Sequence, residues 1–116
     1  MNPEYKELTS KHHLKTLLNT DEIIVLDFYA PWCEQSKLQQ LILQTMHARG
    51  SLEYTVYKCN TDKLADVARK YNITVVPSLA IILKDDKIKT FAGVQPACVI
   101  QEAVSNIKCG NSSTKD

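Results

Sequence analysis

Apolar residues follow two kinds of pattern along this chain, and each kind predicts a different element. From Ile23 to Ala30 they are nearly continuous and rich in β-branched and aromatic side chains, the pattern of a strand covered on both faces. Only Asp27 places a charge in that run. Leu52 to Cys59 reads as a second strand. Ser78 to Leu83 and Lys87 to Ala92 are two more apolar runs, separated by Lys84-Asp85-Asp86, which suits an antiparallel hairpin closed by Gly93. A short strand at Glu4 to Glu7 fits ahead of them all.

Helical spacing fills the intervals. Thr9 or Ser10 can cap a helix with Leu14, Leu17 and Leu18 on its apolar face, with Asn19 to Asp21 as its exit. After Pro31, the residues Leu38, Leu41, Ile42, Thr45 and Met46 recur at i, i+3 and i+4. They predict an amphipathic helix over Cys33 to Arg49 that stops near Gly50. Leu64, Val67, Ala68 and Tyr71 mark the inner face of a third helix. Ile100, Ala103, Val104 and Ile107 mark a fourth, with Pro96 in its first turn and Gly110 at its end. The order predicts an α/β fold, a mixed central sheet with helices on both faces.

Composition narrows the function classes. At 116 residues the chain suits one domain, expected over residues 1–109, with 110–116 as a flexible C-terminal tail. A net charge of +1 gives no field for nucleic acid or an anionic membrane, so neither is expected as a partner. No run approaches the ~18 apolar residues of a membrane span, and MNPEYKELTSKHHLK lacks the apolar core of a secretory signal. A soluble, cytoplasmic monomer is the expectation. Asn72-Ile73-Thr74 and Asn111-Ser112-Ser113 match the glycosylation sequon, which carries little weight without secretion.

Metal and cofactor chemistry find no foothold in the spacing. His12 and His13 are adjacent and His47 stands alone, so surface histidines are expected and no metal site. Three glycines leave no phosphate-cradling loop, and no cofactor is expected. Four cysteines, Cys33, Cys59, Cys98 and Cys109, are too widely spaced for a disulfide scaffold. Cys98 and Cys109 lie ~16 Å apart along one predicted helix, too far to pair, and with Cys59 read as ordinary thiols. An intermolecular disulfide through Cys109 stays open.

Cys33 differs because of its place. At a helix N-terminus it meets the positive end of the helix dipole and unpaired amides, which stabilise a thiolate and lower its pKa. Trp32 supplies a flat apolar surface beside the sulfur, and Pro31 restrains the strand-to-helix turn.

The run D-F-Y-A-P-W-C followed by an amphipathic helix resembles the active-site segment of the thioredoxin family. Lys58, Asn60 and Asp62 after the second strand, Val76-Pro77 before the hairpin and Gly93 after it resemble the family's pattern in order and spacing, over residues 5–108. The resemblance implies a thioredoxin fold and thiol-disulfide exchange. Cys33 would be the attacking thiolate, with a cis Pro77 packed beside it and substrate recognised around Pro31, Trp32, Val76, Pro77 and Gly93. Asp27 would be a buried carboxylate behind the site, its pKa raised by desolvation, exchanging protons with the sulfur chemistry through water, with Lys58 nearby. An aspartate at a surface strand end is the alternative. Protein disulfides are the implied substrates, with thioredoxin reductase or glutathione as reductant.

One position departs from the family's W-C-x-x-C. The chain reads W-C-E-Q-S, so Ser36 stands where the resolving cysteine should be and cannot attack a mixed disulfide. Its hydroxyl can still donate to the Cys33 thiolate. Glu34 opposes the thiolate while favouring the helix start. A natural monothiol protein and an introduced Cys→Ser trap both fit Ser36. Two other readings stay open: a non-catalytic protein-binding module on the same scaffold, and glutathione-dependent monothiol exchange. Trp32 and D-F-Y-A-P argue against a monothiol glutaredoxin with a bridged iron-sulfur cluster.

Overall fold

The computed structural model describes residues 5–50, 54–84 and 86–109. Its elements run β1 (Tyr5–Glu7), α1 (Lys11–Leu17), β2 (Ile23–Tyr29), α2 (Glu34–Ala48), β3 (Thr55–Asn60), α3 (Ala65–Lys70), β4 (Ser78–Leu83), β5 (Lys87–Ala92) and α4 (Ala97–Lys108). The strands form a five-stranded sheet in the order β1-β3-β2-β4-β5. β1, β3 and β2 are parallel, while β4 and β5 run antiparallel to their neighbours. This is the expected mixed sheet.

Alternation along the central strands divides the core in two. Ile24, Leu26 and Phe28 of β2, with Ala80 and Ile82 of β4, pack on Leu14, Val67, Ala68 and Tyr71 from the α1 and α3 side. Ile23, Val25, Leu79 and Ile81 pack on Leu43 and Met46 of α2 and on Ile100, Val104 and Ile107 of α4. Covered on both faces, β2 and β4 favour apolar residues on both sides, which is why their runs are nearly continuous, with Asp27 and Ser78 the buried polar exceptions. Among the described residues, no helix is long and apolar enough to cross a membrane.

Three local details depart from expectation. The hairpin bounds agree, yet β5 is an edge strand with its side chains largely in water. Its Lys-Ile-Lys-Thr-Phe pattern alternates, and the lysines suit an edge that must not pair further. Pro96 is the N-cap of α4, one residue outside the first turn.

The third departure concerns the face of α2. Its buried residues are Ser36, Gln39, Leu43 and Met46, whereas Leu38 and Leu41 are 45% and 58% exposed and Thr45 also faces water. The inner face begins polar because its first turn meets backbone groups, as described below. The expected starts at Glu4 and Leu52, the closing Gly110 and the tail 110–116 lie outside the described residues.

Caps explain where the helices begin and end. Ser10 caps α1, its Oγ accepting from the His13 amide at 3.0 Å. Gly50 takes φ +69 just past α2, and Asn72 takes φ +59 past α3, both in the left-handed region that releases a helix C-terminus. His12 is exposed, while His13 is half-buried with its ring edge-on to Tyr57 at 5.5 Å.

Candidate functional site

Two turns at one end of the sheet build the site. β2 ends at Tyr29, and the Cys33 amide donates to the Ala30 carbonyl at 3.1 Å, closing a tight turn through exposed Pro31 and Trp32. Cys33 is thereby the N-cap of α2 in extended conformation, with Glu34 the first helical residue. The second turn holds the cis Val76-Pro77 bond. Cys33 Sγ lies 3.8 Å from the Val76 carbonyl oxygen, toward which its thiol donates. Sulfur and cis proline are therefore neighbours, and Cys33 is half-buried, open to solvent on one side.

Ser36 lies beneath the sulfur, buried one turn into α2. Its Oγ accepts from the Ala30 amide at 3.3 Å. Accepting there leaves the hydroxyl proton to be donated elsewhere. Hydrogen bonding from the Ser36 hydroxyl is the main influence holding the Cys33 thiol below its ordinary value, helped by the Ser36 and Gln35 amides. Partial desolvation and the Glu34 charge oppose it and do not prevail. The Gln35 amide is one that a helix start leaves without an intrahelical partner, while the Ser36 amide also donates to the Cys33 carbonyl at 3.2 Å.

Asp27 is fully buried on the α2 side of the sheet, in register with Lys58 of β3 and Leu79 of β4. That excludes the surface strand-end alternative. Lys58 is half-buried and also faces Glu7 of β1, with Nζ 3.7 Å from Oε1. The Tyr29 hydroxyl donates to Glu7 Oε2 at 2.7 Å, and the Lys58 ammonium stands 5.2 Å from the Tyr29 ring centre. Burial first, and then the Glu7 bond, push the Tyr29 phenol up to about 12. Glu7 was not among the expected site residues, because only the β1–β3 register brings it beside Lys58.

The rim is apolar and exposed. Trp32 is 70% exposed, and its indole Nε1 donates to Asp62 Oδ2 at 3.2 Å. Asp62 is held in turn by Asn60, whose Oδ1 accepts from the Asp62 amide at 2.9 Å and the Lys63 amide at 3.3 Å. Trp32, Thr61, Ala68 and Ile73 to Val76 line an open groove of about 400 Å³ beside the sulfur. On the other side the Gly93 amide donates to the Pro77 carbonyl at 2.8 Å. Gly93 has φ +85, a conformation that favours glycine whatever the space around it.

The structure thus gathers Pro31, Trp32, Cys33, Ser36, Val76, Pro77 and Gly93 around one sulfur, with Asp27 and Lys58 on the sheet behind. The other cysteines are elsewhere. Cys59 is buried on the α1 and α3 side, and burial pushes its thiol up to about 12. Cys98 and Cys109 are exposed on and after α4. Sequence reasoning also missed Gln39 and Gln95, which face each other behind the Gly93 turn. The one signal available was a glutamine three residues after Ser36, on the same helix face. Among the described residues, no group of three or more His, Cys, Asp or Glu side chains is placed to hold a metal ion.

Comparison with known proteins agrees with this geometry. A family model described as thioredoxin matches residues 4–106. Thioredoxin-1 of Saccharomyces cerevisiae is 30% identical over 89 residues, covering 74% of this chain and 82% of the yeast protein. The chloroplastic M-type thioredoxin of Spinacia oleracea is 24% identical over 101 residues, covering 87% of this chain. The chain spans only 56% of the spinach protein's length. The crystal structure of chloroplastic thioredoxin z superposes with a TM-score of 0.77 at 26% identity, over 95% of this chain and all of that one.

Proposed function

The chain belongs to the thioredoxin family, and we propose that it performs thiol-disulfide exchange with Cys33 as the only attacking thiolate at the site. The observation that carries this reading is the position of Cys33. It caps a helix beside a cis proline, with its thiol held below the ordinary value by Ser36. The Cys33 thiolate attacks one sulfur of a protein disulfide. A bond forms between Cys33 and that sulfur, the substrate S–S bond breaks, and the leaving thiolate takes a proton from solvent. Asp27 and Lys58 supply the buried polar surroundings for that proton traffic.

Ser36 occupies the resolving position and has no sulfur to complete the dithiol cycle. The mixed disulfide therefore persists until another thiol attacks it. A second thiol of the substrate gives isomerisation. Glutathione gives a substrate-glutathione disulfide and returns Cys33 as a thiolate. Both origins of Ser36, natural and introduced, lead to this same chemistry in the chain as it stands. A cytoplasmic setting, where a reducing thiol pool is at hand, completes the reading.

The test is to mix the reduced chain with a protein disulfide and map the product by mass spectrometry. A mixed disulfide at Cys33 that glutathione discharges is expected, and Ser36→Cys should confer catalytic insulin reduction. A Cys33 that forms no such adduct and alkylates like an inert thiol would end the proposal.

The exposed Trp32 and its groove favour a second reading, a module that binds an extended apolar segment without turnover. Partner binding that survives Cys33→Ala unchanged would select it.

A further inference from the structure

The buried face of α2 begins with two polar side chains, and the site described above accounts for only one of them. Ser36 serves the sulfur. Gln39, one turn on, is completely buried and touches no reacting group. A buried primary amide is costly unless its donors and acceptors are paired. Gln39 directs both kinds to a single residue. Its Nε2 donates to the Gln95 carbonyl at 3.1 Å, and the Gln95 amide donates to its Oε1 at 2.6 Å. This is the pairing that one strand offers another, made here by a side chain across 56 residues of sequence.

The clamp belongs to a closed circuit. Gln95 Nε2 donates back to the Ala92 carbonyl at 3.1 Å and the Gly93 carbonyl at 3.3 Å, folding residues 92–95 on themselves. Gly93 donates to Pro77, and the neighbouring Val76 carbonyl accepts from Cys33, the residue that starts α2. Residues 93–96 belong to neither β5 nor α4; Gly93 is held by its own bond to Pro77 and Pro96 by accepting from the first turn of α4, while at Gln95 between them the backbone is held by the Gln39 side chain.

We propose that Gln39 is a positioning residue for exchange: by holding the Gln95 backbone it sets the Gly93 segment against Pro77 and preforms the edge that a peptide disulfide meets beside Cys33. The inference rests on the exchange reading above. A small disulfide needs only the sulfur. A peptide also needs the Val76 and Gly93 edges on either side of it, so its rate depends on where they stand.

The test compares second-order rates of adduct formation at Cys33, read by mass mapping, for a cystine-bridged peptide and for hydroxyethyl disulfide. Gln39→Leu keeps the bulk and removes both bonds. It should slow the peptide reaction about tenfold while changing the small-disulfide rate less than about twofold. Gln39→Glu keeps the acceptor for the Gln95 amide but has no donor while ionised. Its ratio of peptide rate to small-disulfide rate should be low at alkaline pH, where the new carboxyl is ionised despite its burial, and recover as falling pH protonates it. Equal loss of both rates in a variant folded by circular dichroism, no loss in either, or a pH-independent ratio in Gln39→Glu would overturn the proposal. Amide hydrogen exchange at Gln95 separates the two readings. Slow exchange in the native chain that becomes fast in Gln39→Leu establishes the clamp even if Cys33 is inert, in which case the exchange reading alone has failed. Fast exchange in the native chain refutes the clamp itself.

Discussion

Cys33 and Val76 meet across 43 residues of sequence, sulfur to carbonyl oxygen at 3.8 Å. A carbonyl accepts from a thiol but repels a thiolate, so this contact favours the protonated form. Ser36 acts the other way from within the helix, and its hydroxyl is the main influence lowering the Cys33 pKa. Ser36→Ala should therefore slow iodoacetamide alkylation of Cys33 at pH 7 by roughly three- to tenfold, the size of one hydrogen bond. At pH well above 9 the two rates should converge. The stability effect has a definite sign as well. Between the lowered native pKa and the ordinary value, the native chain has released a proton that the unfolded chain keeps. Stability should thus rise with pH across that window, and more steeply in the native chain than in Ser36→Ala. Chemical denaturation at several pH values checks it.

Trp32 is held by Asp62 while most of its ring stays in water. Asp62→Ala removes the acceptor without opening the core. Stability should change by less than about 0.5 kcal/mol, since an exposed hydrogen bond exchanges readily for water. The ring should gain freedom, seen as lower tryptophan fluorescence anisotropy, and the peptide-disulfide rate should fall a few-fold. Unaltered anisotropy would mean that the neighbouring turn, not the carboxylate, orients the indole.

How much of this was legible in the sequence depends on the range of the forces involved. β2 and β4 announced themselves because strands covered on both faces favour nearly unbroken apolar runs. The hairpin bounds were readable from the short polar break between two runs. The inner face of α2 was not. Leu38 and Leu41 continue the helical spacing on the solvent side, while Ser36 and Gln39 turn inward because Ala30 and Gln95 present backbone groups to them. Glu7 beside Lys58 is likewise a consequence of strand register. The cis bond at Pro77 followed from family resemblance alone, since nothing local to Val76-Pro77 dictates it.

Asp27 offers a test of stability against function. It lies buried between Lys58 and Leu79 in the same cross-strand row, and Lys58 keeps Glu7 as an ionic neighbour. Removing the carboxylate therefore does not strand the ammonium, and an apolar replacement gains burial in its place. Asp27→Leu should raise the unfolding free energy by about 1–3 kcal/mol, because a carboxylate taken fully out of water is costly to bury. If the carboxylate serves the sulfur chemistry, adduct formation should slow in the same variant. A destabilised Asp27→Leu would show that the carboxylate is needed by the packing around it.

The four thiols divide by environment, and their titration reads the fold directly. Cys33 is half-buried at the site, Cys98 and Cys109 are exposed, and Cys59 is buried in β3 opposite Phe28 of β2. A thiol reagent should react with three groups in the native chain and with the fourth only after unfolding. Burial raises the Cys59 pKa from 9.0 to about 12, so between those values the native state keeps a proton that the unfolded chain loses. Stability should fall as pH rises through that window, opposite in sign to the contribution of Cys33. Cys59→Ala removes the titrating group. It should lessen the alkaline loss of stability, most clearly between pH 9 and 10 before the raised Tyr29 and Tyr54 phenols add to it, even though the smaller side chain lowers stability at neutral pH by about 1 kcal/mol through lost packing. Four fast-reacting thiols in the native chain, or an alkaline slope unchanged by Cys59→Ala, would place Cys59 outside the core.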